Sequence, residues 1–287
     1  YFNYGVSCLE GKVEQLPLKM AETLHKMGGQ ILTGIEVDQI VIEEKRAIGV
    51  RLKDGQKMTG KTVISNIDAH RTFSDLIEED HLSRGFRSKL KGMKPSLSYF
   101  ILYLGIEGGL DELPVSNNEV FFEKDLQKEY ESLSKNYISE EAPFYHLAPS
   151  KLNSSHAPKG KSTLCLSYKA TYHFSPDWER KIKEELSQRL INRASVFIPH
   201  LQKRIVVKVE TTPKTIEQWT HNRWGAAYGW AQVPRQSGIY RLPRTTPIPN
   251  LYLTGHWTSP GGGIAGVVAS GKLTAEAVWS RFEKGEQ

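Results

Sequence analysis

The segment Asn250-Leu-Tyr-Leu-Thr-Gly-His-Trp-Thr-Ser-Pro-Gly-Gly-Gly-Ile-Ala-Gly-Val-Val-Ala-Ser-Gly271 constrains this chain more than any other. Leu251 to Leu253 is a short apolar run that reads as a buried strand. A loop ends it at Gly255, and Gly261, Gly262 and Gly263 then open an apolar, small-residue helix that can run to Phe282. A strand feeding a glycine-lined helix start is an anion site. The first turn leaves backbone N–H groups unpaired, and the helix dipole adds partial positive charge. Glycine at that point lets a flat or charged ligand touch the backbone.

Gly261, Gly263 and Gly266 also spell G-x-G-x-x-G. That dinucleotide fingerprint opens a βαβ unit of roughly 30 residues, with an acidic residue about 20 positions further on. Gln287 arrives before a second strand can follow, and the spacing occurs nowhere else in the sequence. The helix therefore completes a nucleotide site whose main βαβ lies elsewhere. Residue 1 is Tyr rather than Met. The expectation is that these residues are the later part of a longer protein, and that the missing front carries the phosphate-binding turn.

With 287 residues the chain has length for one large or two medium domains and a sizeable core. The longest apolar run, Tyr99 to Ile106, falls far short of the roughly 18 residues that span a bilayer. Cys8 and Cys165 lie far apart with no metal-binding or redox spacing, which fits two reduced thiols in a cytoplasmic protein and no metal site. A net charge of +6 suits an anionic cofactor or peripheral contact with an anionic membrane, although a solvated basic surface explains it equally. Nucleic acid is not expected as a partner, since neither zinc-finger spacing nor an aromatic ribonucleoprotein motif is present.

Val13, Leu16, Met20, Leu24 and Met27 recur at helical spacing, and Gly28-Gly29 stops that helix. Ile31 to Ile42, Ala47 to Lys53 and Lys57 to Ile64 read as extended, with an Asp54-Gly55 hairpin turn. Ala69 to Lys91 reads as helical, and Ser96 to Glu107 as a buried strand whose Tyr99, Phe100 and Tyr103 suit either an apolar channel or a core. Further strands are expected at Glu119 to Glu123, Pro143 to Ala148, Ser162 to Ala170 and Arg204 to Glu210. A helix capped by Ser175-Pro176 carries Ile182, Leu186, Leu190, Ala194 and Phe197. The prolines from Pro234 to Pro249 make residues 234–250 a rigid surface crossing. The middle of the chain thus reads as a mostly antiparallel sheet with helices.

In the light of these motifs the sequence resembles the phytoene desaturase and carotenoid isomerase family of flavoproteins. The resemblance rests on the 250–271 segment, on Gly11-Lys-Val-Glu-Gln-Leu with Gly28-Gly29, and on Val37-Asp-Gln-Ile, Thr62-Val-Ile-Ser-Asn and Gly225-Ala-Ala-Tyr-Gly-Trp230. It implies a mixed α/β fold shared with the amine oxidases. Residues 1–70 and 246–287 would belong to an FAD-binding domain lacking its N-terminal βαβ, and 71–245 to an inserted antiparallel-sheet substrate domain. It implies FAD as cofactor, held by the intact protein but not by these residues alone, which would then be inactive. Val37 would meet the adenine end through its backbone. Gly255, His256, Trp257, Gly261, Gly262, Gly263 and Ile264 would border the ribityl chain and the isoalloxazine. Many relatives place an acidic residue where this chain has His256, and histidine can also donate to or accept from a hydroxyl.

Trp224, Tyr228 and Trp230, with Trp219 nearby, suit the lining of a pocket for an apolar substrate, and core packing accounts for any single one as well. His173 and His221 are weak catalytic candidates beside His256, and no catalytic acid or base can be named. The expected function is FAD-dependent desaturation or isomerisation of a long apolar polyene drawn from a membrane surface. A flavin amine oxidase, or a non-catalytic lipid- or isoprenoid-binding module, are the alternatives.

Overall fold

The computed structural model describes residues 12–110, 118–121, 126–174, 177–283 and 285. Gly11, Cys8, the Ser175-Pro176 cap and most of the 108–118 loop lie outside the described residues. The chain divides into two compact units, Tyr1–Thr33 with Tyr99–Thr212, and Gly34–Ser98 with Pro213–Gln287. The changeovers between the units fall at 33/34, 98/99 and 212/213.

In the first unit, α1 (Gln15–Lys26) has the expected helical period. No residue of α1 is buried, so its Leu18, Met20 and Leu24 form an uncovered apolar surface. The unit is built on a sheet of β5 (Ser98–Glu107), β6 (Asn118–Phe121), β7 (Phe144–Leu147), β8 (Lys161–Ala170) and β9 (Ile205–Thr211), ordered β6-β7-β8-β5-β9. Its connections include α4 (Leu126–Ser134), the short α5 (Pro149–Leu152), α6 (Arg180–Ala194) and α7 (Leu201–Arg204). Alternation sends Phe100, Leu102, Leu104 and Ile106 of β5, and Leu164, Leu166 and Tyr168 of β8, into one core with Leu186, Leu190 and Ile191 of α6.

The opposite face of that sheet is different. Tyr103, Leu147, Val207 and Val209 stand exposed on it, and Tyr99 meets Tyr145 edge-to-face at 5.9 Å. The register sets Tyr103 opposite Val209 and Gly105 opposite Val207. The aromatics expected to line either a channel or a core are thus divided between the faces. Phe100 is core, while Tyr99 and Tyr103 point away from it.

The second unit holds an antiparallel sheet of β1 (Val37–Glu43), β2 (Arg46–Leu52) and β3 (Lys57–Thr59). It also holds a parallel pair, β4 (Val63–Ser65) with β10 (Leu251–Leu253). The expected extended run from Lys57 to Ile64 is therefore two strands. Gly60 separates them, and β4 leaves the hairpin sheet to pair with β10. The expected helix over 69–91 is broken into α2 (Ala69–Ser74), a 3-10 turn at Glu79–His81 and α3 (Arg84–Gly92). Asp68 and Ser83 cause the division by capping His70 and Phe86 N–H, which starts two helices where the period suggests one. Residues 234–250 are a surface crossing only in part, with Ile239 and Tyr240 exposed. Gln236, Arg241, Leu242 and Ile248 are buried, because prolines set the turns while these side chains enter the core. The unit ends with α8 (Pro213–Thr220) and α9 (Ile264–Glu283). Among the described residues no helix is long and apolar enough to cross a membrane.

Candidate functional site

The strand, loop and helix expected at 250–271 are all present. β10 is wholly buried and lies parallel to β4, with Leu251 opposite Val63 and Leu253 opposite Ser65. Thr254 N–H then donates to Ser65 O at 2.9 Å, extending the pairing by one step. α9 is fastened back onto this strand by two buried hydroxyls. Ser270 Oγ accepts from Gly255 N–H at 3.0 Å, and Thr274 Oγ1 donates to Leu253 O at 3.1 Å. Gly255 is required twice over: its φ is +83°, and a Cβ there would stand 2.1 Å from Asn66 Oδ1.

Between strand and helix the chain makes a 3-10 turn, Gly255–Trp257, and a cis Ser259–Pro260 bond. Trp257 is fully buried and meets the equally buried Trp230 edge-to-face at 4.8 Å. Both indole N–H groups are satisfied: Trp230 donates to Trp257 O at 2.8 Å, and Trp257 to Asn222 Oδ1 at 3.2 Å. His256 lies half-buried above them. Burial, aided by the Arg241 charge, lowers its pKa to about 4, so the ring is neutral at working pH.

Arg241 organises the turn and is the residue that sequence reasoning missed. It is 2 % exposed, and its nearest partners are carbonyls rather than a carboxylate. Nε donates to Thr258 O at 2.9 Å, and Nη2 to His256 O at 2.6 Å. Longer bonds reach Trp230 O and Tyr228 O. One guanidinium fork thus ties the 228–230 strand-like segment to the 256–258 turn. A lone arginine inside a proline-rich run carries no such signal in the sequence.

The three glycines differ. A Cβ on buried Gly261 would sit 3.1 Å from Gln232 Nε2, and one on Gly262 would sit 2.8 Å from Tyr228 Cβ. Gly263 has φ +90° and open space where its Cβ would be. Gly266 lets the first turn close down, since a Cβ there would stand 2.8 Å from Gly261 O. Beyond them Ile264 is 60 % exposed, and Val268, Trp279 and Phe282 continue an uncovered apolar face along α9. The open helix start, with its unpaired first-turn N–H groups and the missing side chain at Gly263, fits the edge of a flat, electron-rich ring such as the isoalloxazine of FAD.

Of the aromatic candidates, Trp230 is in the core, Trp224 is half-buried and Tyr228 is 44 % exposed. Trp224 takes φ +58°, a left-handed conformation costly for a bulky residue, and its N–H donates to Glu217 Oε1 at 2.8 Å. Gly225 and Gly229 flank this segment because Cβ atoms there would lie 2.3 Å from Pro213 O and His256 O. Asp68, 1 % exposed, supports it from below by accepting Arg223 N–H at 2.6 Å. Val37 stands apart at the head of β1, paired with Leu52. His221 is exposed at φ +56°. His173 packs on Tyr172 in the first unit. Cys165, whose thiol burial raises to about 11, is inert in this state.

Comparison with known proteins bears on the family and the fold. Residues 3–279 match the family described as flavin containing amine oxidoreductase. The chain is 26% identical over 286 residues to a phytoene desaturase (neurosporene-forming) of Cereibacter sphaeroides, covering 95% of this chain and 54% of that protein. It is 29% identical to the chloroplastic prolycopene isomerase of Daucus carota, covering 96% of this chain and 44% of that one. Among solved structures, a putrescine oxidase bound to putrescine superposes with a TM-score of 0.63 at 16% identity, over 94% of this chain and 53% of that one. Cyclohexylamine oxidase from Brevibacterium oxydans gives 0.61 at 12%, over 95% and 53%. The fold is the mixed α/β flavoprotein fold that the sequence implies, and the chain spans about half the length of the curated relatives it matches. The chain belongs to the flavin containing amine oxidoreductase family.

Proposed function

We propose that this chain forms the substrate-facing and flavin-bordering part of an FAD-dependent oxidoreductase that desaturates or isomerises a long apolar polyene. The observation that carries the proposal is the start of α9, left open at Gly263 and Ile264 on a turn that is otherwise rigidly held. In this proposal Gly255, His256, Gly262, Gly263 and Ile264 border the ring and ribityl chain, and Val37 the adenine end. Bound FAD supplies hydride acceptance and return. The chain's own contribution is orientation and charge. First-turn N–H groups favour negative charge developing on the ring edge, and neutral His256 can exchange hydrogen bonds with ribityl hydroxyls.

Trp224 and Tyr228 are the proposed aromatic lining beside the ring. Trp257 and Trp230 would act from beneath, through packing. The relatives named for phytoene desaturation and prolycopene isomerisation support a polyene as substrate. We further propose a cytoplasmic protein in peripheral contact with a membrane, from which such a substrate would come.

The test is to load the full-length protein with FAD and supply phytoene or prolycopene in liposomes. Conversion detected by absorbance and chromatography is the expected outcome. Peroxide released from primary amines, with no change in the polyenes, would overturn the proposal in favour of an amine oxidase.

A further inference from the structure

The course of the chain just after α8 is strained and yet fully bonded. His221 and Trp224 take φ +56° and +58°, and Gly225 follows at +62°. The left-handed region is disfavoured for residues with side chains, most of all bulky ones, and persists only where the surroundings over-determine it. Here they do. Each backbone N–H from His221 to Ala227 has a hydrogen-bond partner. Two of those partners are carboxylates from separate elements. Arg223 N–H donates to Asp68 Oδ2 at 2.6 Å, and Trp224 N–H donates to Glu217 Oε1 at 2.8 Å. Asp68 is buried, and its other oxygen accepts His70 N–H at 2.6 Å, which anchors it at the start of α2. Glu217 belongs to α8. Asn222 completes the frame. Its Nδ2 donates to Ala226 O at 3.2 Å, and its Oδ1 accepts the indole N–H of Trp257, which ties the segment to the turn carrying His256. The Arg223 guanidinium lies 5.0 Å from the centroid of the half-buried Trp224 ring.

A glycine at position 224 would meet this backbone at no steric cost. Tryptophan is among the residues least suited to it, so the strain is kept for the sake of the ring. We propose that Trp224 determines which polyene geometry the protein accepts, and that Asp68 and Glu217 are its positioning residues. The inference rests on the oxidoreductase reading above. A polyene offers no polar group to recognise, so straight and bent isomers differ in shape alone. An adaptable apolar wall yields to either shape. A wall whose backbone is held at consecutive amides keeps its place and admits one shape better. Ionised acceptors hold those amides more firmly than neutral ones would. Asp68 and Glu217 act through the backbone of residues 223 and 224, not through contact with the substrate.

The experiment follows conversion of 15-cis and all-trans phytoene, each in liposomes, by the full-length protein loaded with FAD. The unaltered protein is compared with Trp224→Leu, Glu217→Ala, Glu217→Gln and the Glu217→Ala/Trp224→Leu pair. In Trp224→Leu the ratio of kcat/KM for the two isomers should move about fivefold or more towards one, the scale of discrimination that an apolar pocket commands. Glu217→Ala should move it in the same direction, and Glu217→Gln, which keeps an acceptor oxygen, should stay near the unaltered ratio. The double variant should go no further than Trp224→Leu alone. Amide hydrogen exchange gives a second readout: amides 221–226 should exchange faster in Glu217→Ala but not in Glu217→Gln, with FAD affinity unchanged in both. A ratio already near one in the unaltered protein, or unmoved in Trp224→Leu while both isomers are converted, overturns the inference and leaves the oxidoreductase reading standing. So does a shift in Glu217→Ala that adds to that of Trp224→Leu, since Glu217 then acts elsewhere. Conversion of neither isomer by the unaltered, FAD-loaded protein defeats the oxidoreductase reading and this inference with it.

Discussion

Gly229→Ala should be among the most damaging single-methyl changes in this protein. Gly229 has φ +68°, and an added Cβ would stand 2.3 Å from His256 O and 2.7 Å from its carbonyl carbon. The left-handed backbone alone costs a non-glycine residue about 1–2 kcal/mol. The clash then adds to it. His256 O is the acceptor that Arg241 Nη2 holds at 2.6 Å, so pushing it away stretches a buried bond to a charged donor. Such bonds contribute about 1.5–3 kcal/mol. The total is about 3–5 kcal/mol against a typical stability of about 5–15 kcal/mol. Gly263→Ala is the control. Its φ is +90°, but nothing lies within 4 Å of the new Cβ, so it should cost only the backbone part, about 1–2 kcal/mol. Urea unfolding of both variants at neutral pH, with unchanged slope, gives the difference directly. A gap of about 2–3 kcal/mol is expected. Equal destabilisation of the two would refute the idea that the 228–230 segment is locked against the turn.

Arg241→Met should destabilise by about 3 kcal/mol or more, because the carbonyls of Thr258 and His256 lose a buried donor; Arg241→Lys should recover only part, having no fork. His70 and His256 both have pKa values lowered to about 4 by burial, with Arg223 and Arg241 respectively adding to the effect. The folded state resists their protonation while the unfolded chain takes up protons near pH 6.5. Stability is therefore full above that pH and falls on acidification towards pH 4, by up to about 1.4 kcal/mol per pH unit for each ring. His256→Phe should remove one ring's share of that slope in denaturation measured from pH 7 to 4. Leu24→Ser, on a helix with no buried residue, should change the stability of these 287 residues by less than about 0.5 kcal/mol.

The glycine-rich segment was legible because its geometry can be met only by glycine. Gly255 and Gly263 take positive φ, Gly262 and Gly266 allow close approach, and the spacing records these demands. The sheet of the first unit was legible for a similar reason, since β5 and β8 alternate strictly enough to name their inward residues. Three features were not legible. The break between α2 and α3 depends on two capping side chains, Asp68 and Ser83, in a stretch whose apolar spacing continues through it. The departure of β4 from the hairpin depends on β10, almost two hundred positions later, and local pattern cannot report a partner that distant. Arg241 looks like surface charge in a proline-rich run. Its burial follows from carbonyls that converge only once the 228–230 and 256–258 segments are in place.

The most direct test of the account is the FAD affinity of the full-length protein carrying Gly263→Val, followed by flavin absorbance and fluorescence alongside a thermal melt. The branched side chain would fill the open space at the start of α9 while meeting no neighbouring atom within 4 Å at its Cβ. FAD binding weakened at least tenfold, in a chain that still melts cooperatively despite the strain a β-branched residue meets at φ +90°, is the predicted result. Unchanged FAD binding in that variant would contradict the assignment of this turn to the flavin.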